Sequence, residues 1–209
     1  MQLKWFGHSC FLLTAGQEAW LSDPFAPSVG YPIPSLTPTV ITTSHDHYDH
    51  ADTSWLPQGV PVLTGESWQG EGLALRAVSS FHDQQKGAQR GENKIYIAQA
   101  EGLNIVHLGD LGHVLLPGQV EEIGKVDVLL LPVGGTYTIG PEEAWQVVAQ
   151  LLPRIVIPMH YQTPHLKFEL ASLEEFMKGI PQGWTVEEKT SWEPEEPLAE
   201  KRIIVLKYI

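Results

Sequence analysis

The sequence predicts an α/β chain in which two β-sheets pack face to face under a cover of helices, one of several layered arrangements that the order of its elements allows. Three observations point there. Short strand patterns dominate the first half, strands alternate with helices from about residue 119 onward, and no linker composition separates the two textures. The chain has 209 residues, 43% hydrophobic and 18% charged, which is the makeup of an ordinary soluble globule and the length of a single domain spanning 1–209.

Residues 2–5 and 10–14 read as strands flanking the turn Gly7-His8-Ser9, with a third at 18–21, so the chain opens as a β-meander. Pro-rich coil with neither helix nor strand pattern follows through Pro38. Residues 40–43 read as a buried strand, and 60–63, 73–78, 94–99 and 104–108 as further strands. Beyond them, 119–124 suits a short helix, and the apolar run 126–131 suits a strand buried on both faces. Pro141 at a first helical position opens a helix through Leu152, with Ala144, Trp145, Val148, Leu151 and Leu152 on one face. Residues 155–157 form another buried strand, Ser172 caps a helix to about 178, and 203–206 close with a strand. The acidic, Pro-rich segment 185–199 reads as a strand followed by a surface loop.

The chemistry concentrates in His45-Asp46-His47-Tyr48-Asp49-His50, directly after the strand at 40–43. His45 and His47 stand two apart in an extended segment and project to the same side. Asp49 and His50 fall in the following turn, where the chain can bend back toward that side. Neutral imidazole and carboxylate are ligands that divalent transition metals take, and here four of them converge on one small volume. A purification tag would be a terminal run of one residue type, whereas this cluster is internal and mixed.

The pattern His45-x-His47-x-Asp49-His50 is similar to the signature of the metallo-β-lactamase superfamily, whose members include hydrolases of lactams, lactones, thioesters and phosphodiesters. That resemblance selects the four-layer αββα sandwich among the layered arrangements. It also implies two metals, and residues at later strand ends resemble the superfamily's remaining motifs: Ser80-Phe81-His82-Asp83, His107-Leu108-Gly109-Asp110 and Met159-His160. Carried over position by position, His45, His47 and His82 would hold one metal and Asp49, His50 and His160 the other, with Asp110 bridging. Trp5-Phe6-Gly7-His8-Ser9 and Leu21-Ser22-Asp23-Pro24-Phe25 resemble the branch that contains ascorbate-6-phosphate lactonase and N-acyl phosphatidylethanolamine phospholipase D. The expected activity is hydrolysis of a small ester, lactone or phosphodiester by a metal-bridging hydroxide, with Asp49 and Asp110 as catalytic carboxylates. Five imidazoles and two carboxylates suit zinc, with manganese or iron as alternatives. The rivals are a metal-bound structural or sensing module and, less favoured, a diiron redox protein. Redox relatives carry Glu where this chain has His47, which favours hydrolysis.

Other polar residues are weighed against the same site. His8, Asp23, His113 and His165 are candidates for its rim or for hydrogen bonds that support its ligands. His107 points away from Asp110 in a regular strand and reads as a satisfied core histidine. Asp46 and Asp83 read as surface or supporting carboxylates. The loop 80–93, with Lys86 and Arg90, reads as solvated and flexible, the alternative being closure over an anionic group. Gly134-Gly135 reads as a tight turn, with backbone N–H groups for an oxyanion as the alternative.

A net charge of −12 argues against a nucleic-acid surface but not against a small, anionic substrate beside metal ions. Cys10 stands alone, so no intrachain disulfide forms. Neither a secretory signal nor a transmembrane stretch is present, and the expected location is the cytoplasm, away from membranes. Oligomeric state is not legible.

Overall fold

The computed structural model describes residues 1–195, 198 and 200–208. Strands β1 (Gln2–Gly7), β2 (Cys10–Ala15) and β3 (Glu18–Ser22) form the expected meander, and β4 (Val40–Thr42) and β5 (Val62–Leu63) add to it in parallel. The second sheet holds β6 (Trp68–Gln69), β7 (Leu73–Phe81), β8 (Glu92–Ala100), β9 (Leu103–His107), β10 (Val128–Pro132), β11 (Ile155–Met159), β12 (Trp184–Lys189) and β13 (Lys201–Leu206). Its order is β12-β13-β11-β10-β9-β8-β7-β6.

Alternation along the first sheet explains the packing. Leu3, Trp5, Phe11, Leu13, Trp20 and Val40 join the core shared with the second sheet, while Phe6, Cys10, Leu21 and Ile41 face the other way. Full burial of each such large apolar side chain contributes about 1.5–3 kcal/mol. Tyr96 reaches across the sandwich and donates its hydroxyl to the Leu63 carbonyl at 2.9 Å.

Helices cover the second sheet. Helix α1 (Pro117–Ile123) lies on β7, where the Arg76 guanidinium donates to the Ile123 carbonyl at 2.8 Å. Helix α2 (Pro141–Leu151) starts at Pro141 as expected, and α3 (Leu173–Met177) packs against it through Trp145 and Phe176, whose rings stack at 4.5 Å. The outer face of the first sheet is covered by the Pro-rich coil, which contains a 3-10 turn at Pro27–Val29 and packs Phe25, Val29 and Tyr31 together with Leu56, Leu166 and Leu170 from later loops.

Several elements differ from the sequence reading. Strand β6 is two residues long, too short to show alternation. Strands β7 and β8 pair over nine residues each, to Phe81 and Ala100, so His82 follows its strand directly. Ser172 occupies the N-cap of α3 without a side-chain cap bond. The strand expected after residue 185 is β12; of the loop after it, residues 196, 197 and 199 lie outside the described residues. No helix among the described residues is long and apolar enough to cross a membrane.

Candidate metal centre

Six strand ends meet at one edge of the sandwich. In the first sheet, β1 and β3 are each antiparallel to β2, and β4 is parallel to β3, so all three run the same way. In the second, β7 and β9 are each antiparallel to β8, and β10 and β11 continue parallel to β9. The C-terminal ends of these strands deliver His8, Asp23 and the 43–50 loop from one sheet, and His82, Asp110 and His160 from the other.

Asp110 is the centre. Its Oδ2 lies 3.3 Å from His50 Nε2, 3.3 Å from His160 Nε2, 3.4 Å from His82 Nε2 and 3.9 Å from His45 Nε2. Nitrogens of His45, His47 and His82 come within 4.8 Å of one another on one side, and those of His8, His50 and His160 do so on the other. Asp49 joins the second group, with Oδ2 3.2 Å from His8 Nε2 and 3.8 Å from His50 Nε2. The seven residues expected at the site are thus brought together. His8 is closer to its centre than a rim position, with its ring 4.2 Å from that of His160.

One buried carboxylate aims two of these rings. Asp23 Oδ2 accepts His50 Nδ1–H at 2.9 Å and the Ser44 hydroxyl at 2.7 Å, while Oδ1 accepts the Ser44 N–H at 2.7 Å. Ser44 Oγ in turn lies 2.9 Å from His45 Nδ1 and accepts its proton in this chain. Both rings are left with Nε2 as the lone-pair donor facing Asp110. His8, Asp23 and His160 sit at φ of 51°, 44° and 51°, a strained region for side-chain-bearing residues that the surrounding bonds hold in place. The N–H of His160, for example, donates to the His8 carbonyl at 3.1 Å.

Burial and mutual charge set the protonation states of the protein alone. Burial pushes the Asp110 carboxyl up, but His160 and His50 outweigh it and hold it well below the usual carboxylate range. Burial pushes His50 down, yet Asp110 and Asp23 raise it well above the usual imidazole value. Burial, then the neighbouring His50, takes His45 to about 3, and burial, then His160, takes His8 to about 4. For Asp49, burial is outweighed by the His8 hydrogen bond, and the carboxyl stays ionised.

The donor set fits metal ions. Among the described residues, seven buried polar atoms here have no hydrogen-bond partner: His8 Nδ1, His45 Nε2, His50 Nε2, His82 Nδ1, Asp110 Oδ1 and both ring nitrogens of His160. Leaving a buried polar atom unpaired costs about 1–3 kcal/mol, and three of the seven, the Nε2 atoms of His45, His50 and His160, face Asp110 Oδ2 at 3.3–3.9 Å, where a shared cation would take their lone pairs. Imidazoles around an ionised carboxylate match the preferences of divalent transition metals.

Comparison with known proteins decides the family. The Beta-lactamase superfamily domain matches residues 2–160. The chain is a metal-dependent hydrolase of the metallo-β-lactamase superfamily. A UPF0173 metal-dependent hydrolase of Pyrobaculum calidifontis is 32% identical over 195 residues, covering 78% of this chain and 85% of that one. Its counterpart in Pyrobaculum islandicum is 31% identical with the same coverage. A crystal structure from Thermotoga maritima, described as a Zn-dependent hydrolase of the superfamily, is 37% identical with a TM-score of 0.79, covering 98% of this chain and 97% of that one.

Within this superfamily fold the remaining candidates separate. His107 is a satisfied core residue: Nε2 donates to the Ser9 carbonyl at 2.9 Å and Nδ1 accepts the Gly109 N–H at 3.0 Å. Asp46 is exposed. Neither His113 nor His165 lines the cavity beside His82 and Asp110. His113 holds the backbone beside His82, accepting Phe81 N–H at 3.3 Å and donating to the Val114 carbonyl at 2.8 Å. His165 stacks on Tyr31, with ring centroids 5.8 Å apart. Gly134 serves close packing, since a Cβ there would collide with the His160 carbonyl.

The loop after His82 is solvated, as expected, with Gln84, Lys86 and Gln89 exposed, but its backbone is tied down at one point. The Asp83 carboxylate is buried and accepts four backbone N–H groups, from Gln85, Gly87, Gln89 and Arg90, at 2.7–3.0 Å. Burial raises its pKa, but these donors, that of Arg90 first, pull it down to about 2. No spacing rule announces this role, because Asp83 acts on backbone up to seven residues further along.

Proposed function

We propose that the protein hydrolyses a small ester, lactone or phosphodiester at two divalent metals, zinc in the first place, with manganese or iron as alternatives. His45, His47 and His82 would hold one metal and Asp49, His50 and His160 the other, with Asp110 shared by both. The observation that carries the reading is the gathering of four imidazole Nε2 atoms within 3.3–3.9 Å of a single Asp110 oxygen, two from each proposed set. When bound, the metals supply Lewis acidity, activating water as a nucleophile near neutral pH and polarising the substrate's electrophilic centre.

The chain's own residues do the rest. Asp23 and Ser44 fix the tautomers of His50 and His45. His8 Nε2 donates to Asp49 Oδ2 and so orients that carboxylate, whose other oxygen would orient the proton of the nucleophile. A cavity of about 360 Å³ opens directly onto His47, Asp49, His82 and Asp110, leaving room for a small substrate. That cavity favours an enzyme over a structural or sensing module. His47 favours hydrolysis over diiron redox chemistry.

The net charge of −12 supports a partner that is a small molecule and not a nucleic acid. The single cysteine, Cys10, is buried and free, which agrees with a cytoplasmic location. The test is turnover of phosphorylated lactones against phosphodiesters by metal-loaded protein, which separates the two chemistries of the branch the motifs resemble. A fully loaded protein that cleaves no member of the panel is a structural or sensing module instead.

A further inference from the structure

We infer that Arg90 is a specificity residue, and that the substrate carries an anionic group for it together with a flat apolar body. The inference rests on the hydrolase reading above and names its substrate class. The cavity has two walls of different chemistry. One is the metal-centre wall; the other is Tyr48, Arg90, Tyr137 and Phe168. Histidines aside, Arg90 is the single cationic residue lining it.

Arg90 is built into place. Its N–H is fixed by Asp83 Oδ2 at 2.8 Å, its Nη2 donates to the Thr136 carbonyl at 3.3 Å, and its Cζ lies 5.5 Å from the centre of the Tyr137 ring. Tyr137 meets Phe168 edge to face, with ring centroids 5.9 Å apart. The chain has 25 acidic residues against 13 Lys and Arg, yet among the described residues no carboxylate lies within ion-pair distance of Arg90. Lys94, by contrast, is paired with Glu92 at 2.9 Å. A planar guanidinium with free N–H donors, stacked near an aromatic ring at the mouth of a cavity, is suited to a carboxylate or phosphate oxygen.

The rings define the rest of the ligand. Tyr48 and Tyr137 are 57% and 39% exposed, an arrangement that leaves large apolar surface wet unless a ligand covers it. An aryl or similarly flat group placed there leaves the anion at Arg90 and the scissile bond over the opposite wall.

The test has two arms on metal-loaded protein. In the first, thermal shift and calorimetry follow benzoate, phenyl phosphate and neutral benzamide. Wild type should bind at least one of the anions in preference to benzamide, and Arg90→Gln should weaken that binding about 10- to 100-fold, the order expected for a charge-assisted pair. Arg90→Lys should restore part of it, and Tyr137→Ala should weaken all three ligands. The stronger of the two anions identifies carboxylate or phosphate as the preferred group. Unchanged anion binding in Arg90→Gln overturns the inference, because the anion then binds the metals alone; so does a wild type that prefers neither anion. In the second arm, kcat/KM is compared for p-nitrophenyl hemiglutarate and p-nitrophenyl butyrate. The preference for the anionic ester should collapse in Arg90→Gln. A wild type that cleaves neither ester, nor any lactone or phosphodiester of the panel above, while anion binding still depends on Arg90 contradicts the hydrolase reading and leaves the Arg90 site standing.

Discussion

Asp23 Oδ2 accepts a hydrogen bond from His50 Nδ1 at 2.9 Å, which turns the opposite nitrogen of that ring toward Asp110. Through Ser44 the same carboxylate also governs His45, so one residue outside the proposed ligand set orients a ring in each half of it. Asp23→Asn should therefore weaken the affinity for both metals, by about 10- to 100-fold for each. Chelator competition followed by metal analysis measures this. Unchanged affinity would show that packing alone holds the two rings.

Ligand removal should divide the site. His47→Ala should retain about one metal equivalent and His160→Ala about one, while Asp110→Asn should weaken both, as expected if Asp110 bridges. Elemental analysis of the three purified variants gives the answer. Loss of both metals in either histidine variant would instead mean that the halves fill only together.

His8 is expected to act through Asp49. His8→Ala should lower metal retention in the half that contains His50 and His160 and spare the other, and His8→Gln, which keeps an N–H donor, should recover part of it. A variant of His8 that loads both metals normally would leave the 3.2 Å contact with Asp49 without a role in metal binding.

The metal-free protein should lose stability in mild acid. Burial lowers the pKa of His8, His45, His82 and His107 in the fold, to about 4 for His8 and about 3 for His45, against about 6.5 in an unfolded chain. Between those values the unfolded state binds more protons, so stability falls as pH drops. Asp23, Asp49 and Asp110, all held low, act in the same direction below about pH 4. His50 opposes them: its contribution is present below about pH 6.5 and is lost as pH rises through its raised pKa. Four lowered imidazoles outnumber one raised, and the Tm of metal-free protein should fall from pH 7 to pH 5. A flat or rising Tm over that range would contradict this balance.

Much of the site was legible because its residues are close in sequence or end a recognisable strand. His45, His47, Asp49 and His50 lie within six positions, and His82, Asp110 and His160 each follow an apolar strand pattern. The strands that carry Trp5, Phe11 and Trp20 were legible from the turn residues between them. What was not legible depends on closure of the fold. His8 was legible as a candidate support for a ligand, but its partner was not: it reaches Asp49, 41 residues away, from a left-handed turn that no periodicity encodes. Asp83 read only as a surface or supporting carboxylate, and what it supports was hidden because its partners are backbone amides, which any residue type supplies. For His113 and His165 the choice between the rim and a supporting role stayed open, because a loop histidine near a motif has the same sequence appearance whether it faces a cavity or holds backbone.

The most direct test of the central claim is hydrolysis before and after metal removal. Purified protein is assayed on an ester, lactone and phosphodiester panel with its metal content measured, stripped with chelator, and reloaded with zinc or manganese. About two metals per chain, with turnover of at least one substrate that disappears on stripping and returns on reloading, is the predicted result. Two bound metals with no turnover anywhere on the panel, or turnover that survives stripping, would contradict it.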